Sequence, residues 1–191
     1  MPDEIESKIR VTGHDPIRQR LRQSGAEYLG RVLETNRLFD DSNGSLLDNG
    51  CGLRVRACDL LDGAARSATL TYKGPMREGV FKKRVEVEVA ISDAAAMMEI
   101  LGSLGFHPRI VFEKRRESWR FKGCAVELDE VPNLGLFVEV EGPDEESIHS
   151  VLSGLGLDAL ASIRTSYVTM LVSGEKPEGG MPFEFRFAPE S

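Results

Sequence analysis

In the opening segment, EIESKIRV, charged residues at Glu4, Glu6 and Lys8 alternate with Ile5, Ser7 and Ile9. A period of two sends successive side chains to opposite faces of a strand, so these charges stand on one face roughly 7 Å apart. The pattern returns along the chain. CGLRVRAC sets Arg54 and Arg56 against Leu53 and Val55, and ATLTYKGP sets Thr69, Thr71 and Lys73 in one phase. FKKRVEVEVAI sets Lys82, Arg84, Glu86 and Glu88 against Val85, Val87 and Val89. VFEKRRESWRF, CAVELDEV and LFVEVEG carry Lys114 and Arg116, Glu127 and Asp129, and Glu139 and Glu141. VLETNRLFDD reads as one more strand, in which Asn36 and Arg37 cannot both face the same way.

Between these strands the period changes to that of helices. HDPIRQRLRQSGAEY is expected to be capped by Asp15, with Pro16 in its first turn and Gly25 at its exit. SDAAAMMEILGSLGF begins through Ser92 or Asp93, and PDEESIHSVLSGLGL begins at Pro143. Each follows a strand of alternating charge, a coarse repeat of strand, helix and glycine exit. SIRTSYVTMLVS fits a strand or a short helix. The division expected is one domain over residues 1–173 and a tail over 174–191, where Phe183, Phe185 and Phe187 offer a strand that could dock.

About eight strands with few helices describe a mainly β, α+β chain folded as a closed antiparallel barrel or a sandwich. Periodicity alone leaves open whether the charges face water or the interior. Clustering favours the interior, because acid pairs occupy some strands and basic pairs others. Val85, Val87 and Val89 would then face outward beneath about three helices.

Composition narrows the partners. The 191 residues are 41% hydrophobic and 29% charged, which suits an ordinary folded domain. The net charge of −7 argues against nucleic acid while allowing a basic pocket inside an acidic shell. Cys51, Cys58 and Cys124 form neither a disulfide framework nor a zinc pattern. With no signal-like leader and no long apolar run, the expected home is the cytoplasm, with no membrane partner. Grouped carboxylates suit hard divalent cations, and grouped arginines and lysines suit phosphate oxygens. Together they describe a pocket for a metal-bound polyphosphate. His14, His107 and His149 read as surface residues, Trp119 and Phe121 as outer packing, and Met97 and Met98 as core. Tyr167 fits packing and function equally.

The ordered motifs resemble the CYTH superfamily, the triphosphate tunnel metalloenzymes that include class IV adenylyl cyclases and thiamine triphosphatases. The resemblance rests on Glu4-x-Glu6-x-Lys8, LRVR at 53–56, LTYKGP ending at Pro75, KRVEVEV from Lys83 and FEKRRESW from Phe112. VELDEVPNLGLFVEVEG from Val126 and Ser166-Tyr167 complete it, so that it covers residues 1–172. It implies an eight-stranded antiparallel barrel around a tunnel that binds triphosphates with Mg2+ or Mn2+. It implies phosphate contacts from Lys8, Arg54, Arg56, Lys73, Arg84, Lys114 and Arg116, with Lys8, Lys73 and Arg56 acting in catalysis. Metal would be held by Glu4, Glu6, Asp129, Glu139 and Glu141, while Glu86 and Glu88 either join them or orient the cations.

One segment departs from the family. Where many relatives carry Q-x-D-x-Y-F-D, this chain has Glu34, Asn36, Leu38, Phe39 and Asp40. The resemblance therefore does not carry over a role for an acid or phenol from that strand. The KGP turn, the helix ending LGF and the EK-x-R strand resemble class IV cyclases most. The first expectation is conversion of ATP to cyclic AMP and pyrophosphate. The alternative is hydrolysis of inorganic triphosphate, thiamine triphosphate or another organic triphosphate, with Lys73 or Tyr28 as base. A non-catalytic polyphosphate-binding module ranks third. The partner is a small triphosphate in each case, and a homodimer is left open.

Overall fold

Strand β1 (Asp3–Val11) lies between β5 (Lys82–Ile91) and β8 (Gly135–Gly142), with Lys8 directly opposite Glu139 and Glu6 opposite Glu141. This computed structural model describes residues 3–61, 66–77, 82–172 and 182–188, and the side chains of Asp3, Glu4 and Lys82 fall outside that description. The remaining strands of the barrel are β2 (Glu27–Asp40), β3 (Gly52–Leu60), β4 (Arg66–Lys73), β6 (His107–Phe121) and β7 (Cys124–Val131). Their order is β2-β3-β4-β5-β1-β8-β7-β6, and β2 pairs with β6 to close an antiparallel barrel of eight strands. Closure removes both sheet edges. The expected barrel is the one observed, and the charged phases point inward.

The aliphatic phases build the core outside the barrel wall. Helices α1 (Asp15–Gln23) and α4 (Glu145–Gly154) contribute Ile17, Leu21, Ile148, Val151 and Leu152 to a cluster with Val126, Val138 and Val140. Burying such a side chain fully contributes about 1.5–3 kcal/mol. The contact is close at Gly142, where a Cβ would stand 2.8 Å from Cys124 Sγ and 3.0 Å from Ile148 Cγ1. Any larger residue there would have to displace Cys124 or Ile148. Helix α3 (Ala94–Ser103) packs Met97, Met98 and Leu101 over Leu53, Val55 and Leu70. That placement corrects one expectation. Val87 and Val89 do face outward, but among the described residues no helix covers them, and they stay 42% and 55% exposed.

Two short helices join the three expected ones: α2 (Ser45–Asp48), and α5 (Tyr167–Leu171), which settles the ambiguous segment as helix. Asp93 and Asp144 cap α3 and α4 by accepting backbone N–H groups. At α1 the cap residue is His14, with Asp15 already inside the helix. His14 is buried, with Nε2 2.9 Å from the Phe137 carbonyl, so it is not the surface residue its position suggested. His107 and His149 are exposed, and Trp119 and Phe121 are buried in the outer packing as expected. Beyond the barrel, β9 (Phe183–Phe185) pairs in parallel with Ile110–Phe112 of β6. Ile110, Phe112, Val131, Phe137 and Tyr167 form a second buried cluster.

Candidate functional site: a charged tunnel

Alternation on seven strands brings the inward side chains to one cavity of about 1130 Å³. Lys8, Arg54, Arg56, Lys73, Arg84, Lys114 and Arg116 all line it, as do Glu6, Glu86, Glu88, Glu127, Glu139 and Glu141. Cations outnumber carboxylates along this lining although the whole chain carries −7. The basic interior within an acidic shell is therefore real.

The cross-strand register sets who pairs with whom. Arg116 grips Asp129 in a fork, with both contacts at 2.7 Å, and reaches Glu139 at 2.5 Å. Lys114 Nζ stands 3.2 Å from Glu34 Oε2 and 3.2 Å from Asp129 Oδ2. Arg56 lies 3.2 Å from Glu34, and its Nε donates to Asn36 Oδ1 at 3.0 Å. Lys73 contacts Glu86, and Lys8 lies 3.9 Å from Glu139. The Lys8 ammonium also sits 4.2 Å from the centre of the Tyr167 ring, a cation–π distance. Tyr167 Oη donates to Asp129 Oδ2 at 3.0 Å.

These neighbours fix protonation states. Burial alone would raise the Glu34 carboxyl, but Lys114, Arg56 and Arg116 outweigh it and hold it at about 2. Burial and the nearby Glu6 both push Glu139 upward, and Arg116, Lys114 and Lys8 bring it below its ordinary value. Glu127 moves the other way, because burial exceeds the pull of Arg116. Burial, then the charge of Asp129, drives the Tyr167 phenol well up, keeping it a donor.

Arg54 is held less closely than Arg116. Its NH2 donates to Thr71 Oγ1 at 3.2 Å, while Glu86 and Glu88 stand 3.8 and 3.6 Å away, beyond ordinary hydrogen bonding. Its Nε is buried without any hydrogen-bond partner. Burial, with Arg56 alongside, pushes its guanidinium down to about 10. A buried donor left unsatisfied costs about 1–3 kcal/mol, more when charged. An anion entering the cavity would remove that cost.

Of the carboxylates expected to hold metal, Glu6, Glu139 and Glu141 line the cavity on adjacent strands. The Glu4 side chain lies outside the described residues. Asp129 is wholly buried behind the lining, both oxygens accepting from Arg116 and one also from Lys114 and Tyr167. The donor set suits a hard divalent cation, being carboxylate oxygen without sulfur or paired imidazole. Among the described residues no three ligating side chains already stand close enough together to hold an ion. The residues fit such a cation in donor type and adjacency.

One residue of this site, Glu34, escaped the sequence reading, and another, Tyr167, had been left between packing and function. Glu34, on the strand whose departure from the family left an acid's role in doubt, is 2% exposed and binds the cations of two neighbouring strands. Tyr167 is tied to Asp129 and Lys8 at once. Asn36 takes the inner phase, and Arg37 is excluded from it. Tyr28 must be withdrawn as a base. An irregularity in the β2–β6 pairing between Tyr28 and Gly30, where Gly30 has φ +132°, flips the phase and sets Tyr28 outward against Trp119.

Comparison with known proteins agrees with this architecture. A protein of Methanocaldococcus jannaschii, provisionally named an adenylate cyclase, is 26% identical over 176 residues, covering 87% of this chain and 97% of its own. A solved structure from Pyrococcus horikoshii OT3 superposes with TM-score 0.77 at 26% identity, covering 90% of this chain and 99% of that one. A structure from Hippeastrum, a provisionally named adenylyl cyclase described as having a dominant triphosphatase activity, gives TM-score 0.70 at 21% identity, covering 92% and 98%. The CYTH domain itself matches residues 2–167. The chain belongs to the CYTH domain family.

Proposed function

We infer that this protein is a divalent-metal-dependent enzyme that binds the phosphate chain of ATP in its tunnel and forms cyclic AMP and pyrophosphate. The observation carrying the triphosphate reading is the under-satisfied Arg54 guanidinium in a cavity lined by further cations. Family membership implies a metal-dependent tunnel for small triphosphates. Glu6, Glu139 and Glu141 would hold the metal, which when bound neutralises phosphate charge and aligns the chain. Arg54, Arg56, Lys8 and Lys73 would grip phosphate oxygens, with Arg84, Lys114 and Arg116 completing the wall. Asp129 and Glu34 would position those cations rather than touch substrate.

In cyclisation the ribose 3′-oxygen forms a bond to the α-phosphorus and the bond from that phosphorus to the bridging oxygen breaks. Pyrophosphate departs with that oxygen, and the hydroxyl proton leaves to solvent or a base. Lys73 and Arg56 would offset charge growing on the leaving group. Leu38, Phe112 and Val168 line the same cavity beside the cations and offer an apolar wall for the nucleoside. The name of the Methanocaldococcus relative supports this reading.

Hydrolysis of a triphosphate is the second reading. It is favoured by the dominant triphosphatase activity described for the Hippeastrum protein. Product identification separates the two after incubation with Mg2+ or Mn2+ and ATP, inorganic triphosphate or thiamine triphosphate. Cyclic AMP with pyrophosphate supports cyclisation. Orthophosphate without a cyclic product makes the protein a hydrolase, and no turnover of any of the three overturns the enzyme reading.

A further inference from the structure

A second cavity, of about 800 Å³, lies on the outer face of the barrel between α1 and the β2–β6 seam. It is lined by Asp15, Arg18, Arg22, Arg31, Glu117 and Trp119, with Tyr28 at its side. The irregularity at Gly30 creates it by turning Tyr28 outward, so that its ring meets Trp119 edge-on at 5.0 Å. Trp119 is 3% exposed and Tyr28 is 48% exposed. One aromatic ring thus forms the floor and the other is half exposed at the rim.

The acids of this groove are already satisfied. Glu117 Oε2 accepts from Arg18 Nε at 2.8 Å, and Oε1 accepts from Trp119 Nε1 at 2.9 Å. Asp15 Oδ1 accepts from Arg18 at 2.6 Å. Arg22 and Arg31 remain. Arg22 follows Arg18 by four residues on the same helical face, a like-charge spacing that weakens a helix. Arg31 sits opposite Glu117 in the sheet register. Among the described residues neither side chain makes a hydrogen bond or an ion pair, and both border the cavity. A guanidinium presents a fork matched to phosphate oxygens, and an exposed aromatic face accepts a flat ring.

We propose that this outer groove is a second binding site, distinct from the tunnel, for a phosphate monoester carried on a flat ring, of the nucleoside monophosphate class. Arg22 and Arg31 bind the phosphate, and the ring packs on Tyr28. The groove adjoins the tunnel wall, since Glu117 and the inward Arg116 are neighbours on β6. The inference does not depend on what the tunnel binds.

The chain contains one tryptophan, Trp119, so its fluorescence reports on this groove. AMP is titrated into the parent protein and into the tunnel variant Arg54→Ala with Arg56→Ala, with adenosine and inorganic phosphate run separately. The expected result is a saturable change in emission with AMP that is weaker with either fragment. Arg22→Ala combined with Arg31→Ala should weaken it at least about tenfold while the far-ultraviolet circular dichroism stays unchanged. No emission change would overturn the proposal. So would a change that persists in the folded Arg22→Ala, Arg31→Ala variant, or one that is lost in the folded tunnel variant.

Discussion

Lys114 and Glu34 face each other across the seam that closes the barrel, Nζ 3.2 Å from Oε2, both side chains at most 3% exposed. Breaking a buried pair by removing one charge costs about 3–5 kcal/mol, because the other charge stays buried. Glu34→Gln should therefore destabilise the protein by that order in denaturant unfolding. It should also change the acid limb. The Glu34 carboxyl is held at about 2 in the fold against an ordinary value of 4.5, so its contribution is complete above pH 4.5 and is lost as pH falls toward 2. The variant should show a flatter fall of stability across that interval. An unchanged slope would mean that the pair does not govern acid unfolding.

Arg54→Ala should behave in the opposite way for stability. The substitution removes a desolvated guanidinium whose Nε has no partner, and Thr71 keeps its bond to Glu88 at 2.7 Å. Thermal unfolding should shift little or upward, within about 1 kcal/mol of the parent. A loss of several kcal/mol would mark Arg54 as structural and remove the argument for an anion beside it.

Tyr167→Phe isolates one hydrogen bond. The edge contact with Phe137, 5.1 Å between ring centres, and the ring beneath Lys8 should both survive. Asp129 keeps Arg116 and Lys114 as donors. The expected cost is about 1.5 kcal/mol, at the lower end for a bond to a charged acceptor. Chemical denaturation of the variant measures it, and a cost several times larger would show that the phenol supports more than Asp129.

Much of this was written in the alternation of charge. Where a barrel strand runs without irregularity it keeps one phase inward, because closure fixes every face, so pairs such as Arg54 and Arg56 could be read as neighbours. What escaped reading has specific causes. Glu34 lacks a charged companion two residues away, since Asn36 and Leu38 share its phase, and so it showed no pair. Its role comes from Lys114, far away in sequence. Tyr28 was read at the end of a helical segment, whereas β2 begins at Glu27 and its irregularity at Gly30 turns the ring outward. Val87 and Val89 were expected under a helix because their apolar character resembles that of covered strands. The alternation shows which way a side chain points and not what lies above it.

Metal removal gives a further separation. The interior charges pair largely with one another across the strands, as Arg116 does with Asp129 and Lys73 with Glu86. A chelator should therefore abolish turnover while leaving the unfolding temperature nearly unchanged, and Mg2+ or Mn2+ should restore activity. Unfolding of the barrel on chelation would assign the metal a structural role instead.

The central claim is that the inward cations grip a phosphate chain. Calorimetric titration with inorganic tripolyphosphate and Mg2+ tests it most directly, on the parent protein and on Arg54→Ala with Arg56→Ala. Each lost charge-assisted contact is worth about 1.5–3 kcal/mol, so the double variant should bind at least about a hundredfold more weakly while remaining folded. Saturable binding at one site in the parent, lost in the variant, is the expected result. Equal affinity in both proteins, or no binding to the parent, would contradict the account.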